Sequence, residues 1–172
     1  AHPEMLRLSS YVVLPLVQAL VAVVLAVVGL AARRHNRSHV PFGLFLLGIG
    51  GWGGLIFLMR TAASPSAALP WERWLVPLAL LLAALLLHFA TLWTRPGRRM
   101  PLTVIAYAQT LAGLASVLGP QVIEGMRRTG QGYTPVAGPL FPLWSAACLW
   151  PLGVGVAQQL GPPAVEKLAR IG

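Results

Sequence analysis

Residues Leu8–Ala32 read LSSYVVLPLVQALVAVVLAVVGLAA, a stretch without a single Asp, Glu, Lys or Arg. About 20 apolar residues in helical form cross the hydrocarbon core of a bilayer, and a charge at its centre costs several kcal/mol. Outward from this stretch the same pattern recurs four times. Ser38–Met59, Trp74–Thr94, Met100–Ile123 and Thr129–Val165 are also free of those four residue types. All 13 Lys and Arg residues and all 4 acidic residues lie outside the five runs.

The composition agrees, with 56% hydrophobic and only 10% charged residues. A soluble domain carries about 25% charged residues. A β-barrel is disfavoured, because its strands alternate apolar and polar side chains over about ten residues; here the runs are continuous and rich in Leu and Ala. The expected fold class is therefore all-α: a polytopic membrane helical bundle with five transmembrane helices, forming a single membrane domain over residues 1–172. The helices are expected at about Ser10–Ala32, Pro41–Arg60, Trp71–Thr94, Pro101–Leu118 and Pro139–Leu160. Residues 161–172 then begin a cytoplasmic tail at the Gly161-Pro162-Pro163 break. Ala1–Ser10 holds Glu4 and Arg7 and leads into a run too long for a signal-peptide core, so the first helix is expected to be retained.

Prolines punctuate this plan. Pro41, Pro101 and Pro139 fall near first turns, where a missing N–H costs nothing. Pro15, Pro77, Pro142 and Pro151 fall inside spans and should kink them, which membrane helices tolerate. Between the fourth and fifth spans, Gly119–Gly138 forms the longest connection. Gln121–Arg128 is expected there as a short interfacial helix with Val122, Ile123 and Met126 facing lipid, in a loop that is either a plain connector or a contact for a ligand or partner.

Sorted by alternate loops, the charges set an orientation. One side gathers Arg33, Arg34, Arg37, Arg95, Arg98, Arg99, Lys167 and Arg170 against Glu166. The other has Arg7, Arg60, Arg73, Arg127 and Arg128 offset by Glu4, Glu72 and Glu124. The positive-inside rule puts the N-terminus outside and the C-terminus in the cytoplasm. The net charge of +9 thus belongs to short loops beside lipid headgroups and does not indicate nucleic acid. Trp71 and Trp74 would mark the outer interface and Trp93 the inner one.

Chemistry-bearing residues are few. There is no Asp, and the four Glu are scattered in loops, so no carboxylate pair for acid–base work is formed. His2, His35, His39 and His88 are not spaced as metal ligands, and no metal or cofactor is expected. The single cysteine, Cys148, reads as a packing residue. The chain is not expected to be an enzyme. In the second helix Gly50 and Gly54 have small-xxx-small spacing, which lets helix backbones approach closely.

Polar side chains inside spans carry the most information, since each must find a partner. They are Gln18, His88, Thr91, Tyr107, Gln109, Ser116 and Ser145. His88 lies about 9 Å from the inner end of its helix, and Gln109 about 12 Å from the inner start of the next, at 1.5 Å per residue. His88, Tyr107 and Gln109 are therefore expected at similar depth, as one polar cluster and as ligand or relay candidates. For His88 three roles are open: an interhelical hydrogen bond, a relay or ligand contact, or haem ligation, the last requiring a second intramembrane His from another subunit.

The order of these features resembles the N-terminal seven-helix membrane region of bacterial sensor histidine kinases and diguanylate cyclases. The residues that carry the likeness are Arg33-Arg34-His35-Asn36-Arg37 before the Phe42–Met59 helix, Pro70-Trp71-Glu72-Arg73, Leu86-Leu87-His88-Phe89-Ala90-Thr91-Leu92, Gly138-Pro139-Leu140-Phe141-Pro142-Leu143-Trp144 and the basic Glu166–Arg170 stretch. The likeness covers the first five helices. It implies a non-catalytic sensory domain of a bacterial inner membrane, passing a signal to a cytoplasmic output. The alternative is a small structural subunit of a larger membrane complex, binding lipid, pigment or haem. Either way, the expected partners are the lipid bilayer and further copies or other membrane subunits.

Overall fold

The structure is a computed structural model, and it describes residues 3–31, 38–94, 101–129 and 132–169. Five long helices dominate: α1 (Pro3–Ala31), α2 (His39–Thr61), α3 (Pro65–Thr94), α4 (Pro101–Leu114) and α5 (Phe141–Ala169). α4 tightens into a 3-10 turn at Ala115–Leu118. Among the described residues, four segments are long and apolar enough to cross a membrane: Val12–Ala31, His39–Thr61, Pro65–Thr94 and Pro101–Leu118. α5 is not among them, because Pro142, Trp144, Trp150, Pro151 and Gln158 dilute its apolar character. The chain is thus a helical membrane-type bundle with large apolar side chains on its outside, such as Leu20, Val24, Leu111 and Leu149.

The helices pack in a row, α1 on α2 and α2 on α3, with α4 and α5 both laid against α3. Small residues make the first seam. Pro15, Ala22 and Ala26 of α1 are buried, and they recur at helical spacing on one face. A Cβ on Gly53 would lie 2.6 Å from the Pro15 carbonyl oxygen, and one on Gly50 would lie 3.0 Å from Val23 Cγ2. Gly54, expected to share this seam with Gly50, has nothing within 4 Å of a Cβ. The correction is a matter of angle. Gly53 lies about 60° to one side of Gly50 and Gly54 about 40° to the other, and α1 packs on the Gly50–Gly53 side. Gly48, on another face, meets Leu82 of α3. α3 is the hub, with Leu75, Val76, Leu80, Leu82, Leu85, Leu87 and Ala90 all buried.

Boundaries differ from expectation where capping chemistry decides. α3 begins at Pro65, because the Ser64 hydroxyl accepts a hydrogen bond from Ala67 N at 3.2 Å and proline suits the first helical position. α5 begins at Phe141, so Pro139 precedes it and Pro142 falls in its first turn. It also runs through Gly161-Pro162-Pro163 to Ala169 in one helix, where a break was expected.

The clearest departure from all-α is a β-hairpin. β1 (Ile123–Thr129) pairs antiparallel with β2 (Gly132–Ala137), with Met126 opposite Pro135, Arg127 opposite Thr134 and a bulge between Ile123 and Gly125. The expected interfacial helix over Gln121–Arg128 is absent. Val122 and Ile123 face protein: they are buried with Val76 and packed by Leu69, Phe141 and Trp144. Gly132 takes φ 122°, a conformation open to glycine, next to the strand-forming Tyr133, Thr134 and Val136. The hairpin is tied down by Tyr133 Oη donating to the Ala62 carbonyl at 2.9 Å and Gly138 N donating to the Val122 carbonyl at 2.8 Å. It therefore sits at the end of the bundle that holds the α2–α3 turn.

Candidate functional site

The polar groups inside the bundle are gathered where α3, α4 and α5 meet. Ala84 and Leu87 of α3 are buried there with Ala106 of α4, and Tyr107, Trp150 and Val154 close around them. Small residues let the three backbones approach, and the polar side chains then bond across the gaps. His88 Nδ1 and Tyr107 Oη are 3.0 Å apart, with the rings edge to face at 87°. This joins α3 to α4.

Gln109 does not join them. Its Oε1 accepts from Trp150 Nε1 at 2.7 Å, which joins α4 to α5. Tyr107 and Gln109 are two residues apart, and such positions point to different sides of a helix. Equal depth brought His88 and Tyr107 together, and helical angle separated Gln109 from them. A third bond joins α3 to α5: the buried Thr91 hydroxyl is directed at the Leu87 carbonyl at 2.8 Å and at Gln158 Oε1 at 3.0 Å. Trp144 Nε1 adds a fourth, donating to the Val76 carbonyl at 3.1 Å.

Trp144, Trp150 and Gln158 are the residues that sequence reasoning missed here. The signal was available: an indole N–H within an apolar helix must find an acceptor. Ser116 and Ser145 bond back to Gly113 and Phe141 of their own helices, and Gln18 is exposed on α1. Arg33, Arg34, Arg37, His35, Arg95, Arg98, Arg99, Arg170 and His2 lie outside the described residues. Among the described residues, no three of His, Cys, Asp and Glu gather within reach of one metal ion.

α4 and α5 both pack on α3 but scarcely on each other. Toward the hairpin end, a cavity of about 480 Å³ separates them. Val76 and Leu80 of α3 form its back wall. Gln109 and Ser116 come from the α4 side, Trp144 and Ala147 from α5, and Gln121 and Val122 lead into the hairpin. Small side chains on α4, Ala112 and Gly113, make the room, and Leu80 leans onto Gly113.

No family model, curated protein or solved structure matches the chain.

The chemistry of the site is therefore read from the arrangement itself. Among the described residues, the lining of the cavity contains no charged side chain. Its polar groups are amides, one hydroxyl and one indole, which can orient a neutral molecule by hydrogen bonds but do not transfer protons near neutral pH.

Proposed function

We propose that the chain is a non-catalytic sensory and signal-transducing membrane domain, with the cavity between α3, α4 and α5 as its receiving site. In this reading all five helices cross a bacterial cytoplasmic membrane, the N-terminus and the hairpin are outside, and α5 leads the signal inward. One observation carries the proposal. α4 and α5 are held together at the floor of the cavity by the Gln109–Trp150 hydrogen bond, and otherwise each rests on α3. An occupant of the cavity touches both helices, and exchange of that bond would let α5 shift against α4 while Trp144 and Gln158 keep it tied to α3. Sensing requires such an element with two arrangements whose balance a ligand shifts. The shared order of features with histidine kinase and cyclase sensor regions supports the same reading.

The test is a distance measurement in liposomes. Spin labels at Leu111→Cys on α4 and Leu149→Cys on α5, both exposed positions outside the cavity lining, are introduced with Cys148→Ser to remove the native thiol. Two distance populations are expected, with Trp150→Phe shifting weight between them. One narrow population that ignores Trp150→Phe would sink the sensory reading and leave a rigid structural subunit.

A further inference from the structure

The cavity specifies more than the presence of a ligand. An indole nitrogen only donates, so the oxygen of the Gln109 amide must face Trp150 Nε1, as it does at 2.7 Å. The orientation of this amide is fixed by its partner's chemistry. Its NH2 group then points elsewhere, and it has no hydrogen-bond partner among the described residues. Gln109 lines the cavity. The site therefore offers an N–H donor that an occupant of the cavity can use.

Two further properties narrow that occupant. With no charged side chain in the lining, an ionised group there would be unpaired in a low-dielectric setting, which costs several kcal/mol. The ligand is neutral. Its acceptor must also reach the middle of the membrane-crossing segment. Pro101–Leu118 has 18 residues and is about 27 Å long, with Gln109 about 12 Å from its start. Ester carbonyls of phospholipids lie at the ends of such a segment, beside the headgroups, and do not reach this depth. A volume of about 480 Å³ is also within the range of small-molecule pockets, which runs from about 300 to 1,000 Å³.

We infer that the cavity binds a compact, neutral, membrane-soluble carbonyl compound of the quinone type, with one carbonyl oxygen accepting from the Gln109 amide and the ring among Leu80, Trp144 and Ala147. The inference rests on the sensory reading for its consequence, a change in the Gln109–Trp150 bond, but binding is measured separately from motion.

The experiment uses the full chain in nanodiscs of a diester phosphatidylcholine, labelled with 15N at Gln and Trp. The probe is a dimethoxy-methyl-1,4-benzoquinone bearing a ten-carbon chain, with decane as the carbonyl-free control. The Gln109 amide and Trp150 indole resonances are assigned from their loss in Gln109→Asn and Trp150→Phe. Saturable shifts of both with the quinone, and none with decane, are expected. Gln109→Leu should weaken binding about fivefold to tenfold, the loss of one neutral hydrogen bond. Ala112→Phe, which fills the cavity from an exposed position and leaves Gln109 in place, should abolish it. Equal shifts with decane, no saturation, or full binding in Ala112→Phe overturns the site. Replacing the lipid by its ether-linked analogue, which has no ester carbonyl, should leave the Gln109 amide unmoved without quinone; a shift there makes phospholipid the occupant and overturns the inference. Quinone binding with a single rigid α4–α5 distance would retain the site and reject only the sensory reading.

Discussion

At the scale of single residues, the informative groups are the few polar atoms that have to be satisfied inside an apolar bundle. The His88–Tyr107 pair at 3.0 Å is one hydrogen bond between helices α3 and α4. In membrane proteins such bonds contribute about 0.6 kcal/mol on average and up to about 1.7. Tyr107→Phe keeps the ring against Ala84 and Leu87 and removes only the hydroxyl. It is expected to lower stability by about 1 kcal/mol, measured by denaturant titration in mixed micelles. In a His88→Phe background the same change should be nearly silent, because the partner is gone; equal losses in both backgrounds would show that the two rings act independently. Depth along a helix is readable from sequence by counting, and it placed His88 beside Tyr107. Azimuth was equally readable in principle, since Gln109 is two positions from Tyr107 and must point elsewhere. What the sequence does not state is which helix lies on that other side. Trp150 becomes the answer only when α5 is known to lie beside α4.

At the scale of elements, glycine position and hairpin docking can be separated by paired substitutions. Gly53 lies so close to α1 that an added methyl would sit 2.6 Å from the Pro15 carbonyl oxygen, whereas Gly54 faces open space. Gly53→Ala should therefore cost about 1–3 kcal/mol by forcing the two backbones apart, while Gly54→Ala should stay within about 0.5 kcal/mol of the parent. Thermal unfolding in detergent measures both, and equal behaviour would show that the seam is placed wrongly. The hairpin rests on Val122 and Ile123, which are buried under Phe141 and Trp144. Ile123→Ala should remove about 2–4 kcal/mol of packing and raise amide hydrogen exchange across Gly125–Val136, while leaving α1 and α2 protected. Unchanged exchange would mean the hairpin is held by its backbone bonds alone. The helices were legible because a long charge-free run has few alternatives in a bilayer. The hairpin was not, because Val122, Ile123 and Met126 suit a lipid-facing helix as well as a strand. The deciding signals were the glycines of Thr129-Gly130-Gln131-Gly132 and the β-branched and aromatic residues after them.

At the scale of the whole molecule, the remaining question is which end faces the cytoplasm. The hairpin end carries Arg60, Arg73, Arg127 and Arg128, half offset by Glu72 and Glu124. The basic residues of the opposite loops, Arg33 to Arg37 and Arg95 to Arg99, have no acid among them. Translocating an unbalanced cluster of arginines across a membrane is opposed during insertion, which favours the proposed orientation with this end inside. The same orientation fits the proposed route of the signal: the cavity lies toward the hairpin end, and α5 runs from it to the basic end. In a Cys148→Ser background, Thr129→Cys on the exposed rim of β1 should react with a membrane-impermeant maleimide added to spheroplasts. Arg37→Cys should react only after permeabilisation. The reverse pattern would place the cavity near the cytoplasmic face and direct α5 away from it. A cytoplasmic output would then be out of reach of α5, although the cavity and its Gln109 donor would be unchanged.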